Sequence, residues 1–350
     1  MALAWGALGA LSALLAACAT APEKPRTTGL QLRAVRFADL AGWRVDRQDR
    51  ALVAFARSCP RLRGAWRAPC RALRAVPRGD PRAARAFFER WFRPYVVLND
   101  GGAGLFTGYY EPVLRGSRRR SARYRVPLHA RPGDLDRRNP YPSRAAILRP
   151  PLRDRLPVLL WLDDPVDAFT LHIQGSGRIR LAEGGVTRVG VAGTNRRRYV
   201  SIGRILLREG KLARGQASMQ GIRAWLRAHP VEARAIMNRN PRYIFFREMS
   251  GPGPVGAQGV PLTPGRSLAV DPRFVRYGTP VWIDTTWPAP RGGPLRRLVI
   301  AQDKGGAIKG AVRGDLFVGA GARALAIAGR MRQRGRTVVL LPRAGRIASR

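Results

Sequence analysis

Histidine and cysteine are scarce in this chain. Its 350 residues include three histidines, His129, His172 and His229, and three cysteines. No histidine has the spacing from a cysteine that a zinc site requires, so the sequence predicts no metal centre. A glycine-rich dinucleotide-binding pattern is also missing, and we expect no cofactor. Ser176 lies between glycines but lacks the surroundings of a nucleophile elbow, which argues against a serine hydrolase.

Acidic residues are few. The chain has 22 of them against 64 basic residues, and its formal net charge is +42. Charge alone would suggest a nucleic-acid-binding protein. However, the basic residues are almost all arginines and are spread along the whole chain, with no confined patch that interleaves them with aromatics. We therefore expect no nucleic-acid partner. Two explanations of the charge stay open, an anionic partner attracted to a basic surface and a coding bias towards arginine.

Long apolar runs occur only at the start of the chain. The first 17 residues carry no charged side chain, and no later segment approaches 18 apolar residues without a charge. Residues 1–17 are therefore predicted to be a signal peptide, and nothing after them is expected to span a membrane. Leu15–Cys18 resembles a bacterial lipoprotein cleavage box, although no lysine or arginine precedes the apolar run.

This resemblance implies that Cys18 becomes the lipidated N-terminus of the mature protein, with residues 18–35 as the lipid-bearing end and tether. Because Ala19 is not aspartate, it also implies an outer-membrane lipoprotein that faces the periplasm. The alternative is an ordinary cleaved signal with an incidental cysteine. In an oxidising periplasm the other two cysteines, Cys59 and Cys70, are expected to form a disulfide that contributes about 2–4 kcal/mol to stability.

Two aspartates flank a glycine-rich segment near the end of the chain. Gln302–Gly319 reads QDKGGAIKGAVRGDLFVG, with Asp303 after the apolar, strand-like run Leu298–Ala301 and Asp315 before another apolar run. Two carboxylates that meet at strand ends are suited to acid–base chemistry on a glycosidic bond. The alternative is that both are turn residues that accept hydrogen bonds from nearby backbone amides.

The remaining pattern alternates between helix-like and strand-like segments. Helical spacing is predicted at several places: within Phe37–Phe92, over Ser218–His229 and Glu232–Asn238, and over Ala322–Gln333. Strands are predicted within Tyr95–Tyr110, throughout Val158–Val200, from Gly256 onward and over Thr337–Leu341. Ser117–Arg155 is rich in arginine, proline and glycine and is predicted to form loops.

Several ordered motifs resemble one family, the membrane-bound lytic murein transglycosylase A family with its three-aspartate (3D) domain. The motifs are Thr107–Pro112, Tyr141–Arg144, Ile173–Gly177, Gly193–Asn195, Gln216–Met219, Asn240–Pro241, Phe245–Glu248, Gly256–Ala257, Ala269–Pro272 and the two-aspartate segment. The resemblance runs from about residue 104 to residue 343. The chain departs from the family at Lys304, where threonine or valine is more common, and at Gly314, where a bulkier residue is common.

The resemblance implies a fold that is mainly β with N-terminal helices. A double-psi β-barrel would be built from two distant parts of the chain, and a smaller β domain would be inserted between these parts. A glycan groove would lie between the barrel and the inserted domain. The implied ranges are 36–118 for the N-terminal helices and the first part of the barrel, 119–246 for the inserted domain, and 247–343 for the 3D domain that completes the barrel.

The resemblance also implies a function. Such an enzyme is a peptidoglycan lytic exotransglycosylase, a carbon–oxygen lyase that cuts the MurNAc–GlcNAc β-1,4 bond and leaves 1,6-anhydromuramyl ends. Asp315 is the implied single acid, and Asp303 is expected to fix the groove or orient the sugar. Asp271 is most simply structural. The alternative is a non-catalytic, expansin-like peptidoglycan-binding lipoprotein.

Sugar contacts are expected from two glycine-rich segments. Thr107, Gln174 and Ser176 offer short polar groups, and one of two adjacent tyrosines, Tyr109 or Tyr110, could stack on a sugar face. The alternative is that these tyrosines are part of the core and the glycines form turns. The implied partners are peptidoglycan glycan strands, the membrane reached through the lipid anchor, and complexes with murein synthases or hydrolases.

Overall fold

The computed structural model describes residues 30–98, 103–251 and 253–343. The predicted signal peptide, the Cys18 lipidation site and most of the tether lie outside these residues. None of the helices within these ranges is long and apolar enough to cross a membrane.

Within the described residues, fourteen strands form two sheets. They are β1 (Leu32–Ala34), β2 (Phe92–Val97), β3 (Gly104–Glu111), β4 (Val113–Ser117), β5 (Val126–His129), β6 (Val158–Leu162), β7 (Ser176–Leu181), β8 (Val186–Thr194), β9 (Ile244–Glu248), β10 (Ser267–Ala269), β11 (Pro280–Thr286), β12 (Pro294–Asp303), β13 (Arg313–Ala320) and β14 (Arg332–Pro342).

In the same part of the chain, ten α-helices accompany the strands. They are α1 (Gln48–Ser58), α2 (Arg67–Ala72), α3 (Pro81–Trp91), α4 (Arg144–Ile147), α5 (Leu152–Arg155), α6 (Pro165–Gln174), α7 (Ile202–Arg208), α8 (Met219–Ala228), α9 (Pro230–Asn238) and α10 (Gly321–Ala328).

The larger sheet closes into a barrel. Its strand order is β1-β2-β14-β11-β12-β10-β13-β3, and β3 pairs with β14 as well as with β13. The first residues of β14 pair with β3, and its last residues pair with β2. The barrel therefore combines strands from both ends of the described chain, which agrees with the predicted fold class.

The central barrel strands are apolar on both faces because both faces are covered. Val281 and Val299 face the barrel interior, where they pack with Phe106 and Leu316. The alternate residues, such as Trp282, pack instead against the N-terminal helices. A strand that is buried on both faces has a continuous apolar run instead of a polar–apolar alternation, and Leu298–Ala301 has this character.

The N-terminal helices form a cap on the outside of the barrel. The Asp80 side chain accepts hydrogen bonds from the backbone amides of Arg82 and Ala83, and Pro81 occupies the first helical position of α3. Apolar side chains of α1 and α3 then pack together on the sheet. In the structure a disulfide joins Cys59 to Cys70, which ties the end of α1 to α2.

The smaller sheet has the order β5-β6-β4-β7-β8-β9 and runs from Val113 to Glu248. Helices α4 to α9 accompany it, so this part of the chain is mixed in secondary structure. Strand β4 lies before residue 119 and strand β9 ends after residue 246, so the sheet extends beyond both ends of the range predicted for the insertion. The domain limits themselves stay a prediction. Helix α6 packs between this sheet, which it contacts through Leu171, and the helices α7 to α9, which it contacts through Phe169.

Three of the predicted elements were wrong in part. Val158–Val200, predicted to form strands, contains helix α6. This helix begins after the Asp164 cap and has Pro165 at its first position, and the strand prediction overlooked both of these helix-start signals. Ser117–Arg155 contains β5 and two short helices rather than loops alone. The predicted helix to Gln333 ends at Ala328, because the chain from Arg332 onward pairs with β3 and becomes β14.

Candidate functional site

Strand register brings the two aspartates together. The short strand β10 lies between β12 and β13, and its residue Ala269 is opposite Asp303 on one side and Asp315 on the other. Residues directly opposite each other on neighbouring strands point to the same face of a sheet. Two strand spacings separate the Cα atoms of the aspartates by roughly 10 Å. Both carboxyl groups therefore face the same side of the barrel wall.

Strand β3 supplies one hydrogen-bond donor to each aspartate. Thr107 is opposite Asp315 in the pairing of β3 with β13, and its hydroxyl donates to Asp315 Oδ1 at 2.6 Å. Tyr109 lies two residues further along β3, on the same face, and its hydroxyl donates to Asp303 Oδ2 at 2.8 Å. The Tyr109 ring packs on Phe317, with the ring centroids 5.3 Å apart.

The Asp315 carboxyl is held partly protonated near neutral pH. Burial raises its pKa to about 6, and the charge of Asp303 adds a smaller upward effect. The Thr107 hydroxyl and the Arg313 guanidinium lower its pKa but do not outweigh burial. Among the described residues, only Oδ1 of Asp315 receives a hydrogen bond. A carboxyl with a raised pKa and one uncommitted oxygen is suited to proton donation.

Asp303 has a different environment. Burial raises its pKa, and hydrogen bonds from the Ala257 amide, the Tyr109 hydroxyl and the Lys304 amide oppose that effect. The two amides donate to Oδ1, each at 2.9 Å. Both oxygens of Asp303 are therefore held by the protein, which favours a fixed group over a mobile proton donor.

Asp271 holds the glycine-rich segment in place. Its side chain accepts hydrogen bonds from the Gly310 amide at 2.9 Å and from the Arg273 guanidinium, and only 1% of it is exposed. The hydrogen bond with Arg273 is the main reason that its pKa falls to about 2. Gly310 has a φ angle of +108°, which other residues rarely adopt. Asp271 does not line the cleft described next, and its position agrees with a structural role.

A cleft of about 800 Å³ runs along this face between the two sheets. Barrel residues such as Asp303 and Asp315 line one wall, and residues of α6, β7, β8 and β9 line the other. Helix α6 ends where Gly175 adopts a left-handed conformation, with a φ angle of +78°, and this turn sends the chain into β7 beside the cleft.

The four predicted sugar-contacting residues divide into two groups. Tyr109, Gln174 and Ser176 line the cleft, whereas Thr107 does not and instead contacts Asp315. Gln174 Oε1 accepts a hydrogen bond from the Tyr110 amide at 3.1 Å, which ties α6 to β3. Since the Tyr109 hydroxyl is engaged with Asp303, this residue supports the aspartate as well as lining the cleft.

Sequence reasoning missed several residues of the site. Arg313 donates to Thr107 Oγ1 at 2.9 Å, so the threonine hydroxyl is free to direct its own hydrogen towards Asp315. Glu111 is buried in the cleft wall, where it pairs with Arg188 and Arg178. Arg313 is two positions before Asp315 in the sequence, but only the strand pairing indicates that it reaches Thr107.

Cationic side chains outnumber acidic ones along the cleft. The basic lining residues are Arg188, Arg242, Arg247, Lys304 and Lys309, and the acidic ones are Glu111, Asp303 and Asp315. Of these cations, Arg188 is paired with Glu111. The cleft thus offers positive charge to an anionic ligand.

The described residues include no group of three or more histidine, cysteine, aspartate or glutamate side chains placed to hold a metal ion. His129 and His172 are buried, and burial lowers the pKa of both, to about 4 for His129. Both rings are therefore neutral at pH 7. His129 Nδ1 forms a hydrogen bond with the Tyr243 hydroxyl, and His172 Nδ1 accepts one from the Ile244 amide.

Comparison with known proteins agrees with this geometry. Residues 105–247 match the family model of the MltA specific insert domain, and residues 266–341 match that of the 3D domain. The membrane-bound lytic murein transglycosylase A of Escherichia coli K12 is 32% identical over 98% of this chain and 97% of its own length.

Solved structures are similar over most of the chain. The lytic transglycosylase LtgG of Burkholderia pseudomallei has a TM-score of 0.64 and 46% identity, over 90% of this chain and 98% of its own. E. coli MltA with bound chitohexaose has a TM-score of 0.69 and 28% identity, over 90% of this chain and 94% of its own. The two matched models, the full-length relative and the shared fold have one explanation: the chain belongs to the membrane-bound lytic murein transglycosylase A family.

Proposed function

We propose that this protein is a lytic transglycosylase that cleaves the MurNAc–GlcNAc β-1,4 bond of peptidoglycan and leaves a 1,6-anhydromuramyl end. The observation that carries the proposal is Asp315, a cleft-lining carboxyl whose pKa burial raises to about 6. The family relationship and the relative with bound chitohexaose support a glycan in the cleft.

The reaction needs one proton donor. Asp315, in its protonated form, gives its proton to the glycosidic oxygen, and the bond from that oxygen to the muramyl anomeric carbon breaks. The leaving GlcNAc keeps the proton as its 4-hydroxyl, and the muramyl ring becomes oxocarbenium-like. The muramyl 6-hydroxyl then attacks the anomeric carbon and returns its proton to Asp315. The carboxyl is regenerated, and no water is consumed.

Two features lower the barrier. The nucleophile belongs to the substrate, so its effective concentration is already high and no second carboxylate is needed to activate water. The hydrogen bond from Thr107 fixes Oδ1 of Asp315, which leaves Oδ2 as the oxygen that carries the proton.

Asp303 orients the reacting sugar and stabilises positive charge. Its oxygens are fixed by Tyr109 and by the Ala257 and Lys304 amides, and a fixed carboxylate near an oxocarbenium-like ring stabilises it electrostatically. Its charge also favours the protonated form of Asp315, since it is one cause of the raised pKa. The unpaired cations of the cleft are suited to the carboxylates of the muramyl peptide.

The proposal extends to the location of the protein. Cys18, outside the described residues, would carry the lipid that holds the enzyme on the outer membrane, facing the periplasm, with residues 18–35 as the lipidated end and tether. The relatives are named membrane-bound. Metabolic labelling with palmitate should mark the wild-type protein and leave the Cys18→Ser variant unlabelled, and labelling of both would refute lipidation at this residue.

The reaction is tested by digesting purified sacculi with the protein and analysing the soluble products by mass spectrometry. We expect anhydromuramyl products, each lighter by one water than the corresponding reducing sugar. Reducing ends would mean hydrolysis, with Asp303 promoted to base or nucleophile. Binding of sacculi without any cleavage would instead favour the wall-binding alternative.

A further inference from the structure

A second cavity, of about 570 Å³, lies beside α6 and shares His172 with the cleft. Its walls are mainly apolar side chains of α6, α8 and α9, namely Val166, Ala168, Phe169, Leu226, Ala233 and Met237. Arg227, Pro230 and Arg234 are exposed at its mouth. Asp163 and Asp164 also line the cavity, where they pair with Arg115 and Arg227. The proposed cleavage reaction uses none of these residues.

Arg144 lies at the inner end of this cavity and is only 3% exposed. One of its terminal nitrogens, Nη2, donates to the Arg242 carbonyl at 3.0 Å. The guanidinium carbon lies over the ring of Phe169 at 4.8 Å and over that of Tyr243 at 5.1 Å. Nε of Arg144 has no hydrogen-bond partner, and no described carboxylate forms a salt bridge with this side chain.

A buried charge of this kind is unusual, because proteins pair almost all charges that they remove from water. Burial lowers the pKa of Arg144 to about 10, so the guanidinium is still charged at pH 7. His172 adds no second positive charge here, since burial and Arg144 together keep its ring neutral. The aromatic faces and one carbonyl offset part of the cost.

We propose that this cavity binds the carboxylate end of a short peptide with small apolar side chains. Arg144 would pair with the carboxylate, because a guanidinium offers two parallel donors to it. The apolar walls would take the side-chain methyl groups. Arg234, which has no salt bridge to a described residue, would attract the anion at the mouth. The choice of a peptide, as the stem of peptidoglycan, rests on the proposed function.

The test uses isothermal titration calorimetry on the full mature protein with three small ligands. N-acetyl-D-alanyl-D-alanine represents the end of a peptide stem. The C-terminal amide of the same dipeptide lacks the negative charge of the carboxylate, and octanoate represents a fatty acid. We expect the dipeptide acid to bind at least tenfold more tightly than the amide. Equal affinities, or no binding of the acid at millimolar concentration, would overturn the proposal. Binding of octanoate alone would assign the cavity to fatty acids and overturn the peptide assignment.

Two variants locate the binding site. Arg234→Glu places a negative charge at the mouth, on an exposed helix surface, and should weaken binding of the acid several-fold. Arg82→Glu makes the same change of charge on α3, which does not line the cavity, and should have no effect. Equal weakening by both would mean a general effect of net charge and would refute the site.

Arg144→Met should abolish the preference for the acid over the amide, and a retained preference in a folded variant would refute the role of Arg144. If this variant does not fold, the mouth variants and the amide comparison still decide the question. Because binding is measured without glycan, a protein that cleaves sacculi but does not bind the dipeptide refutes this inference alone. Protein that binds the dipeptide but yields no anhydro products refutes the proposed function alone.

Discussion

Replacing the acid isolates the proton-transfer step. Asp315→Asn keeps the shape of the side chain and can still accept the Thr107 hydrogen bond, but it has no proton to deliver and retrieve. We expect kcat for release of anhydromuropeptides from sacculi to fall by roughly 10²-fold or more, the range expected for loss of a general acid. Binding of sacculi, measured by co-sedimentation, should survive because the cleft is otherwise unchanged.

The environment of the carboxyl determines how much of the proton-donating form is present in the wild-type protein. At pH 7 a group with a pKa of about 6 is roughly 10% protonated, whereas one with the ordinary value of about 3.9 is only about 0.1% protonated. Burial therefore makes the acid form about a hundredfold more abundant at neutral pH. Because the protonated form is the active one, the rate should fall as pH rises through about 6.

The same substitution should stabilise the fold. The pKa of Asp315 is higher in the folded chain than in the unfolded chain, so the carboxylate destabilises the fold as pH rises from about 4 to about 6. Above this range the ionised carboxyl lowers the free energy of unfolding by about 3 kcal/mol at most. This figure is an upper bound because the side chain is partly exposed, and solvent screens its charge. Asp315→Asn should therefore raise the free energy of unfolding at pH 7 and leave it nearly unchanged at pH 3.

Two comparison variants complete the experiment. Asp303→Asn should reduce kcat less than Asp315→Asn does, because its task is orientation and charge stabilisation. Asp284→Asn, on β11 and paired with Arg296 away from the cleft, should leave cleavage near the wild-type rate. If Asp303→Asn is inactive while Asp315→Asn cleaves, the two roles are exchanged. If both variants cleave at the wild-type rate, the catalytic interpretation of this site is wrong.

Two further predictions concern the supporting contacts. Thr107→Val removes the donor that lowers the pKa of Asp315, so the decline of kcat at high pH should move to higher pH, and an unchanged pH–rate profile would contradict the hydrogen bond as a determinant of that pKa. Replacing both Cys59 and Cys70 by serine should lower the free energy of unfolding in urea by about 2–4 kcal/mol while cleavage at low temperature continues. If reduction of the wild-type protein does not reproduce that loss, the disulfide is not its cause.

Much of the architecture was readable from the sequence because it depends on local signals. The apolar run Leu298–Ala301 predicted a buried strand that delivers Asp303, and the structure contains it as the end of β12. Asp80 and Pro81 predicted the start of α3. The ordered motifs identified the family, since they combine many positions at once. Where a local pattern was ambiguous, as in the segment that contains α6, the prediction was wrong in part.

The electrostatics of the site depended on tertiary structure. From the sequence, burial and nearby arginines pull the pKa of Asp315 in opposite directions, and only the packing decides that burial prevails. Likewise, no spacing rule indicates that Thr107 donates to an aspartate 208 positions away, because the contact requires the parallel pairing of β3 with β13.

The second cavity is a further case of this kind. Tyr141–Arg144 could be recognised as a motif, but that Arg144 is buried without a carboxylate is a property of the assembled fold. The sequence by itself indicated the strand that ends at Asp303 and the cap of α3, because these depend on neighbours along the chain. The tertiary structure decided which groups meet and which are removed from water, because hydrogen bonds and desolvation depend on neighbours in space.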